Sequence, residues 1–222
     1  MWDGRVGGWH DHVQHSPAFE TIRAAMLSAA NPQPLDRVVD LGAGSGFVAL
    51  ALANDVHDVL AVDLAPRMLE ALDTEAAAMG FTNVSCEASD LARFDLAPGS
   101  VDLVVSCYAL HHLADPDKTA LIARARTWLR PGGRIVVADM MFGRGTTAQD
   151  RRILKQKVVA LARKGPAGLW RIAKNLVRFG LRVGSERPAS PTFWTATFTA
   201  AGLTNVEYHP IVGEAGLVVG RA

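Results

Sequence analysis

Only two cysteines occur in the 222 residues, Cys86 and Cys107. They stand far apart without Cys-x-x-Cys spacing, which excludes a zinc knuckle and a disulfide framework and leaves both expected as small buried hydrophobes. Long apolar runs are also missing. Asp40 and Asp102 interrupt the two best stretches, so no membrane-spanning helix of about 18 residues is expected. The start, Met-Trp-Asp-Gly-Arg, has no apolar segment behind a basic one; no secretory signal is expected, and a soluble, cytoplasmic protein is. Internal repeats and low-complexity tracts are absent. A net charge of +1 selects no class of partner. With 49% hydrophobic and 20% charged residues, the composition matches ordinary globular usage, and the length suits one α/β domain carrying an insertion, 1–222.

What is present is an alternation of short apolar runs with helical patterns. Ser16-Pro17 opens a helix bearing Ile22, Ala25, Met26 and Ala29 at helical spacing, a cap followed by proline at the first helical position. Strands are expected at 37–41, 59–63, 84–88, 101–106 and 134–138. Between them, 47–53, 65–80 and 118–129 read as helices, with Gly80 as a C-cap and Arg130-Pro131-Gly132-Gly133 as a stop. Such alternation predicts a doubly wound, mostly parallel α/β sheet. A helix at 193–201 and extended segments at 205–208 and 217–220 would add two strands, making seven.

Between Phe142 and Arg187 the alternation pauses. Helical stretches at 147–163 and 166–182, broken by Lys164-Gly165-Pro166, are expected as an insertion after the fifth strand. This segment holds 12 lysines and arginines against Asp150 and Glu186, so the rest of the chain is acidic. Arg171, Lys174, Arg178 and Arg182 form one basic stripe opposite Leu169, Trp170, Ile172, Ala173, Leu176 and Val177. Three readings stay open: a solvated lid helix, a membrane-surface or lipid-substrate contact through 166–182, and recognition of an anionic substrate. No RNA-binding module is visible, which disfavours nucleic acid.

The chemistry concentrates behind the first strand, in Val38-Val39-Asp40-Leu41-Gly42-Ala43-Gly44-Ser45-Gly46. A glycine-rich strand-to-helix turn lets a ligand approach the backbone. Glycines at 42, 44 and 46 follow G-x-G-x-G, whereas dinucleotide sites use G-x-G-x-x-G, and position 47 is Phe. Asp40, two residues before the first glycine, would repel a pyrophosphate and attract a cation. Asp63 ends the second strand about 20 residues after the loop, where a carboxylate accepts ribose hydroxyls; that spacing fits NAD equally well. Asp90 follows the third strand and can accept from an adenine amino group. Three carboxylates and no lysine in the loop suit an adenosine bearing an ammonium and a sulfonium but no phosphate. An NAD-dependent oxidoreductase is disfavoured by Asp40 and the glycine spacing.

Taken together, Val39-Asp-Leu-Gly-Ala-Gly-Ser-Gly46, Ala61-Val-Asp-Leu-Ala-Pro-Arg-Met-Leu69, Ala88-Ser-Asp-Leu91, Val101-Asp-Leu-Val-Val-Ser-Cys-Tyr-Ala-Leu-His-His-Leu113 and Leu129-Arg-Pro-Gly-Gly-Arg-Ile135 resemble the class I S-adenosylmethionine-dependent methyltransferases of type 11 or 25. The resemblance covers residues 36–140 and implies a Rossmann-like fold. It implies S-adenosylmethionine as cofactor and S-adenosylhomocysteine as product. Asp40 and the loop of Gly42, Ala43, Gly44 and Gly46 would hold the methionine part, and Asp63 the ribose. Leu64 and Met68 would sandwich the adenine, Asp90 with Leu91 would meet its amino group, and Ser106 would approach the methionine end through its backbone.

A sulfonium methyl is electrophilic without further activation, so the protein must chiefly align an acceptor and exclude water. A general base is needed only for an acceptor such as an alcohol. His111 could be that base, or the His-His-Leu segment could merely accompany many substrates; Asp139 could orient an acceptor or cap the next turn. Residues 1–30 would form N-terminal cap helices, with Trp2 and Trp9 as walls over the cofactor. His10, Asp11, His12 and His15 do not make a metal site, since His10 and His12 would diverge on a helix. The resemblance implies that the insertion builds the acceptor pocket, with Phe142, Trp170, Phe179, Phe193 and Trp194 lining an apolar cavity with a basic rim. The expected acceptor is small or lipid-like, hydrophobic or anionic, methylated on O, N or C. The alternative is a cofactor-binding, catalytically silent partner protein docking through its basic helix. Oligomeric state stays open.

Overall fold

The structure, a computed structural model, describes residues 16–143 and 186–222, with positions 151, 152, 155, 158, 159 and 165 between them. Helix α1 spans Pro17–Ala30, with Ser16 as N-cap and Pro17 at its first position, and it stops at Asn31 in the left-handed region. Then follow β1 (Arg37–Leu41), α2 (Ala49–Leu52), β2 (Asp58–Asp63), α3 (Pro66–Ala78), β3 (Val84–Ala88), β4 (Val101–Cys107), a 3-10 turn at Leu110–His112, α4 (Asp115–Trp128) and β5 (Leu129–Met140). Further along the chain come α5 (Pro191–Ala200), β6 (Thr204–Pro210) and β7 (Ala215–Arg221).

One seven-stranded sheet runs in the order β3-β2-β1-β4-β5-β7-β6. The pairs from β3 to β5 are parallel; β7 lies antiparallel to both β5 and β6. Strand order therefore reverses between β1 and β4, and a doubly wound sheet opens its ligand crevice at the carboxyl ends of such strands.

Alternating residues sort the core onto two faces. Val38, Leu103, Val105 and Val136 meet α1 through Ile22 and Met26, and α2 and α3 through Leu52 and Leu72. Val39, Val104, Ile135 and Val137 meet α4 and α5 through Leu121, Trp128, Trp194 and Phe198.

Several elements differ from expectation. The helix expected at 47–53 shrinks to four residues, because the turn occupies the positions before Ala49. Helix α4 begins at Asp115 rather than 118, with Pro116 in its first turn and Asp115 and Asp117 at its positive end. The segment 130–133, expected as a stop, is drawn into β5, where Leu129 pairs with Val101 before the register shifts. Cys86 is exposed, since β3 is an edge strand, and Cys107 is half-buried. The helices expected at 147–163 and 166–182 lie for the most part outside the described residues. Among the described residues no helix is long and apolar enough to cross a membrane.

Candidate active site

The crevice at the ends of β1 and β4 is a pocket that brings together Asp40, Gly42, Ala43, Gly44, Asp63, Leu64, Met68, Asp90 and Leu91. Four neighbouring strands supply them in sheet order: Asp90 after β3, Asp63 on β2, Asp40 on β1, and Cys107 and Tyr108 on and after β4.

Close approach to the backbone is built in by glycine. Gly42 has φ +77°, and a Cβ there would sit 2.2 Å from the Cβ of Ala109. Gly44 has φ +54°, and a Cβ there would point into open space. Gly46 carries φ +94° and packs beneath the turn against Leu50 and Leu72 rather than lining the pocket.

The direction of the loop amides decides which ligand charge the turn suits. A phosphate-binding loop aims its N–H groups at the anion. Here the amides of Gly42 and Ala43 both donate to Val62 O, at 2.7 and 3.0 Å, and that of Gly46 donates to Ala43 O at 3.0 Å. The Gly44 amide donates to Asp63 Oδ2 at 2.9 Å. Helix α2, at four residues, adds little dipole. The turn is therefore not an anion cradle, which removes the dinucleotide reading.

Asp40 supplies the opposite charge preference. It is 1% exposed, and among the described residues its Oδ2 has no hydrogen-bond partner. Burial pushes its carboxyl up to about 7, the backbone amide of Ala49 opposes the shift, and nearby Asp63 adds to it. An orphaned carboxylate oxygen of this kind fits an ammonium. Asp63 is held differently: Oδ2 accepts from Gly44 and Oδ1 from the amide of Ala65 at 2.9 Å. Each oxygen keeps a lone pair for a ribose hydroxyl. Leu64 is 64% exposed, on the pocket lining, and Met68 is buried beside it, so together they offer apolar surface to a flat base.

The Asp90–Leu91 loop is pinned by a residue the sequence reading did not single out. Arg124 on α4 donates through Nη2 to Leu91 O at 2.9 Å and Ala92 O at 3.2 Å, and through Nε to Phe94 O at 3.2 Å. Trp128 adds a bond from Nε1 to Asp95 Oδ1 at 2.7 Å.

Other expected site residues fall elsewhere. The Ser106 hydroxyl donates to Leu41 O at 2.7 Å, tying β4 to β1, and the pocket wall begins one residue later at Cys107. Asp139 is 1% exposed and fully engaged. Its Oδ1 accepts from His111 Nδ1 at 2.6 Å and from the Met140 amide at 2.7 Å, and its Oδ2 accepts from the His111 amide at 2.8 Å. Because the carboxylate accepts, His111 Nδ1 carries the proton and Nε2 the lone pair. His111 is buried behind Tyr108 and His112, whose ring lies 4.0 Å away, and it is His112 that lines the pocket.

Of the residues expected around the acceptor, Trp194 is 1% exposed in the core beneath β5 and β7, edge-on to Phe193 and Phe198. It belongs to the core, because α5 turns this face to the sheet. Phe142 is buried just after β5 and does not line the pocket. Trp2, Trp9, Trp170 and Phe179 lie outside the described residues. The aromatic wall instead comes from Phe19, Phe47 and Tyr108. Phe19 shares an α1 stripe with Ile22 and Met26, a signal legible in the sequence; Tyr108 gave none.

A family model described as a methyltransferase domain matches residues 38–133. An uncharacterized methyltransferase of Bacillus cytotoxicus is 30% identical over 141 residues, which take in 64% of this chain but only 63% of that relative. One from Oceanobacillus iheyensis is 28% identical over 178 residues, 80% of this chain and 76% of the relative. Among solved structures, the N-methyltransferase NodS of Bradyrhizobium japonicum, in complex with S-adenosyl-l-homocysteine, shares the fold. Its TM-score is 0.68 at 18% identity, over 95% of this chain and 90% of that one. Asp40 with one open oxygen, Asp63 and the glycine turn thus all lie within residues 38–133, the stretch that is similar to the methyltransferase domain.

Proposed function

We infer that the protein transfers the methyl group of S-adenosylmethionine to a small, hydrophobic or anionic acceptor by in-line displacement. The observation that carries this reading is the Asp40 Oδ2, without a hydrogen-bond partner among the described residues, on the lining of a pocket where the amides of Gly42, Ala43, Gly44 and Gly46 are already engaged. S-adenosylmethionine, when bound, supplies an electrophilic sulfonium methyl. Asp40 would hold its ammonium, Asp63 its ribose hydroxyls, and Leu64, Met68, Asp90 and Leu91 its adenine.

The chain's remaining task is to position the acceptor and keep water out. Among the described lining residues there is no lysine or arginine. The wall next to Asp40 is aromatic, from Phe19 and Tyr108, with the imidazole of His112 beside it. This supports a hydrophobic acceptor; the anionic alternative rests on the basic residues of 142–187. For a hydroxyl acceptor, His112 is the imidazole on the lining, and His111 is held by Asp139 in the tautomer that leaves Nε2 able to take a proton.

Calorimetry with S-adenosylmethionine, followed by turnover of labelled cofactor on a metabolite extract, tests the reading. Saturable binding and a labelled small-molecule product are expected. Binding without any labelled product would leave the catalytically silent partner protein in its place, and the absence of binding would defeat both.

A further inference from the structure

Phe19, Phe47 and Tyr108 converge on one end of the pocket. Along the strand order β3-β2-β1-β4, Asp90, Asp63, Asp40 and Tyr108 follow one another a strand apart, at steps of about 4.8 Å. Tyr108 thus stands beyond Asp40, at the end opposite the adenine side, and the neighbouring Ala109 lies directly over Gly42. The rings of Phe19 and Tyr108 are 5.0 Å apart, tilted by 60°, and Phe19 meets Phe47 at 5.9 Å, edge to face.

Tyr108 is held there in an uncommon backbone conformation. Its φ is +52°, in the left-handed region that bulky residues rarely adopt. A bond from its amide to Ala138 O at 2.8 Å and the His111 ring at 6.1 Å keep it in place. Backbone strain of this kind persists where the surroundings fix it, and such positions cluster at ligand sites.

Cofactor and product differ by one methyl group and one positive charge. Both carry the ammonium, so pairing with Asp40 does not separate them. Aromatic faces do, because they attract a cation and have no such attraction for a neutral thioether.

We propose that Phe19 and Tyr108 form an aromatic corner that reads the sulfonium charge, favouring S-adenosylmethionine over S-adenosylhomocysteine and promoting exchange of product for fresh cofactor. Phe47 braces the corner. One face of its ring is already taken by Arg23, whose guanidinium lies 5.0 Å from the ring centroid and pairs with Glu20 at 3.5 Å. The proposal rests on the cofactor assignment made above.

The test is calorimetry on the full chain with three ligands: S-adenosylmethionine, S-adenosylhomocysteine, and sinefungin, which replaces the sulfonium with an amine-bearing carbon. Tyr108→Leu and Phe19→Leu are each expected to weaken S-adenosylmethionine and sinefungin by about five- to thirtyfold, leaving S-adenosylhomocysteine within about twofold. Tyr108→Phe keeps the ring and is expected to keep the wild-type ratio. An unchanged ratio in both leucine variants overturns the proposal. So does an equal loss of all three ligands, which marks a purely structural corner. Failure of the wild type to bind any of them defeats the cofactor assignment instead.

Discussion

Asp40 and Asp139 are equally buried, each 1% exposed, and both sit at the carboxyl edge of the same sheet, on β1 and β5. Asp139 receives three hydrogen bonds from its own chain, two of them from His111. Asp40 leaves one oxygen with no partner among the described residues. A buried carboxylate that is fully paired fixes structure, whereas one left open resists ionisation until a cation arrives. The two residues therefore divide the edge into a ligand end and a scaffold end, and Tyr108 and His112 stand where the two meet.

The sharpest way to break that contrast is to remove Asp139. Asp139→Ala orphans the amide and ring donors of His111 inside the protein, and chemical denaturation should show a loss of about 3 kcal/mol. By contrast, Asp40→Asn should leave the fold intact, raise the melting temperature of the cofactor-free protein at pH 8, and weaken S-adenosylmethionine by about a hundredfold in calorimetry. An unaltered affinity would remove Asp40 from the ammonium site.

The pH dependence of Asp40 separates the two ends further. Its carboxyl sits near 3.8 in the unfolded chain and is pushed up to about 7 when folded. Between these values the unfolded state binds fewer protons, so the stability contribution is full below about 4 and is lost as pH rises through about 7. Cofactor affinity runs the other way, because the ammonium needs the ionised form, and should rise about tenfold from pH 6 to pH 8. Asp40→Asn should flatten both profiles, while a slope that survives in this variant would assign the titration to another group. Smallest of all, Arg124→Met frees the Leu91, Ala92 and Phe94 carbonyls to water and should weaken the cofactor about threefold in calorimetry, with little change in folding.

Much of this was legible in the chain. The glycine pattern at 42, 44 and 46 with Asp40, Asp63 and Asp90 located the pocket and its charge, because strand ends and tight turns impose local requirements on residue type. Short apolar runs located the central strands, for two-sided burial leaves stretches such as Leu103-Val104-Val105. Trp194 is expected at the acceptor and lies in the core, since an aromatic in a helix reads the same whether it faces a pocket or a core. Helix α4 starts three residues before its expected first position, because the 3-10 turn of Leu110–His112 obscures its start at Asp115.

The sequence by itself determined the order of strands and helices, the glycine turn and the three carboxylates, all consequences of short-range chemistry along the chain. Only the tertiary structure decided that the loop amides turn inward, that Asp139 is consumed by His111 while Asp40 is not, and that Phe19 meets Tyr108 across the pocket. Those outcomes depend on pairings between residues as much as 89 positions apart, as Phe19 and Tyr108 are, and hydrogen-bond satisfaction in a buried site is settled only when the partners converge.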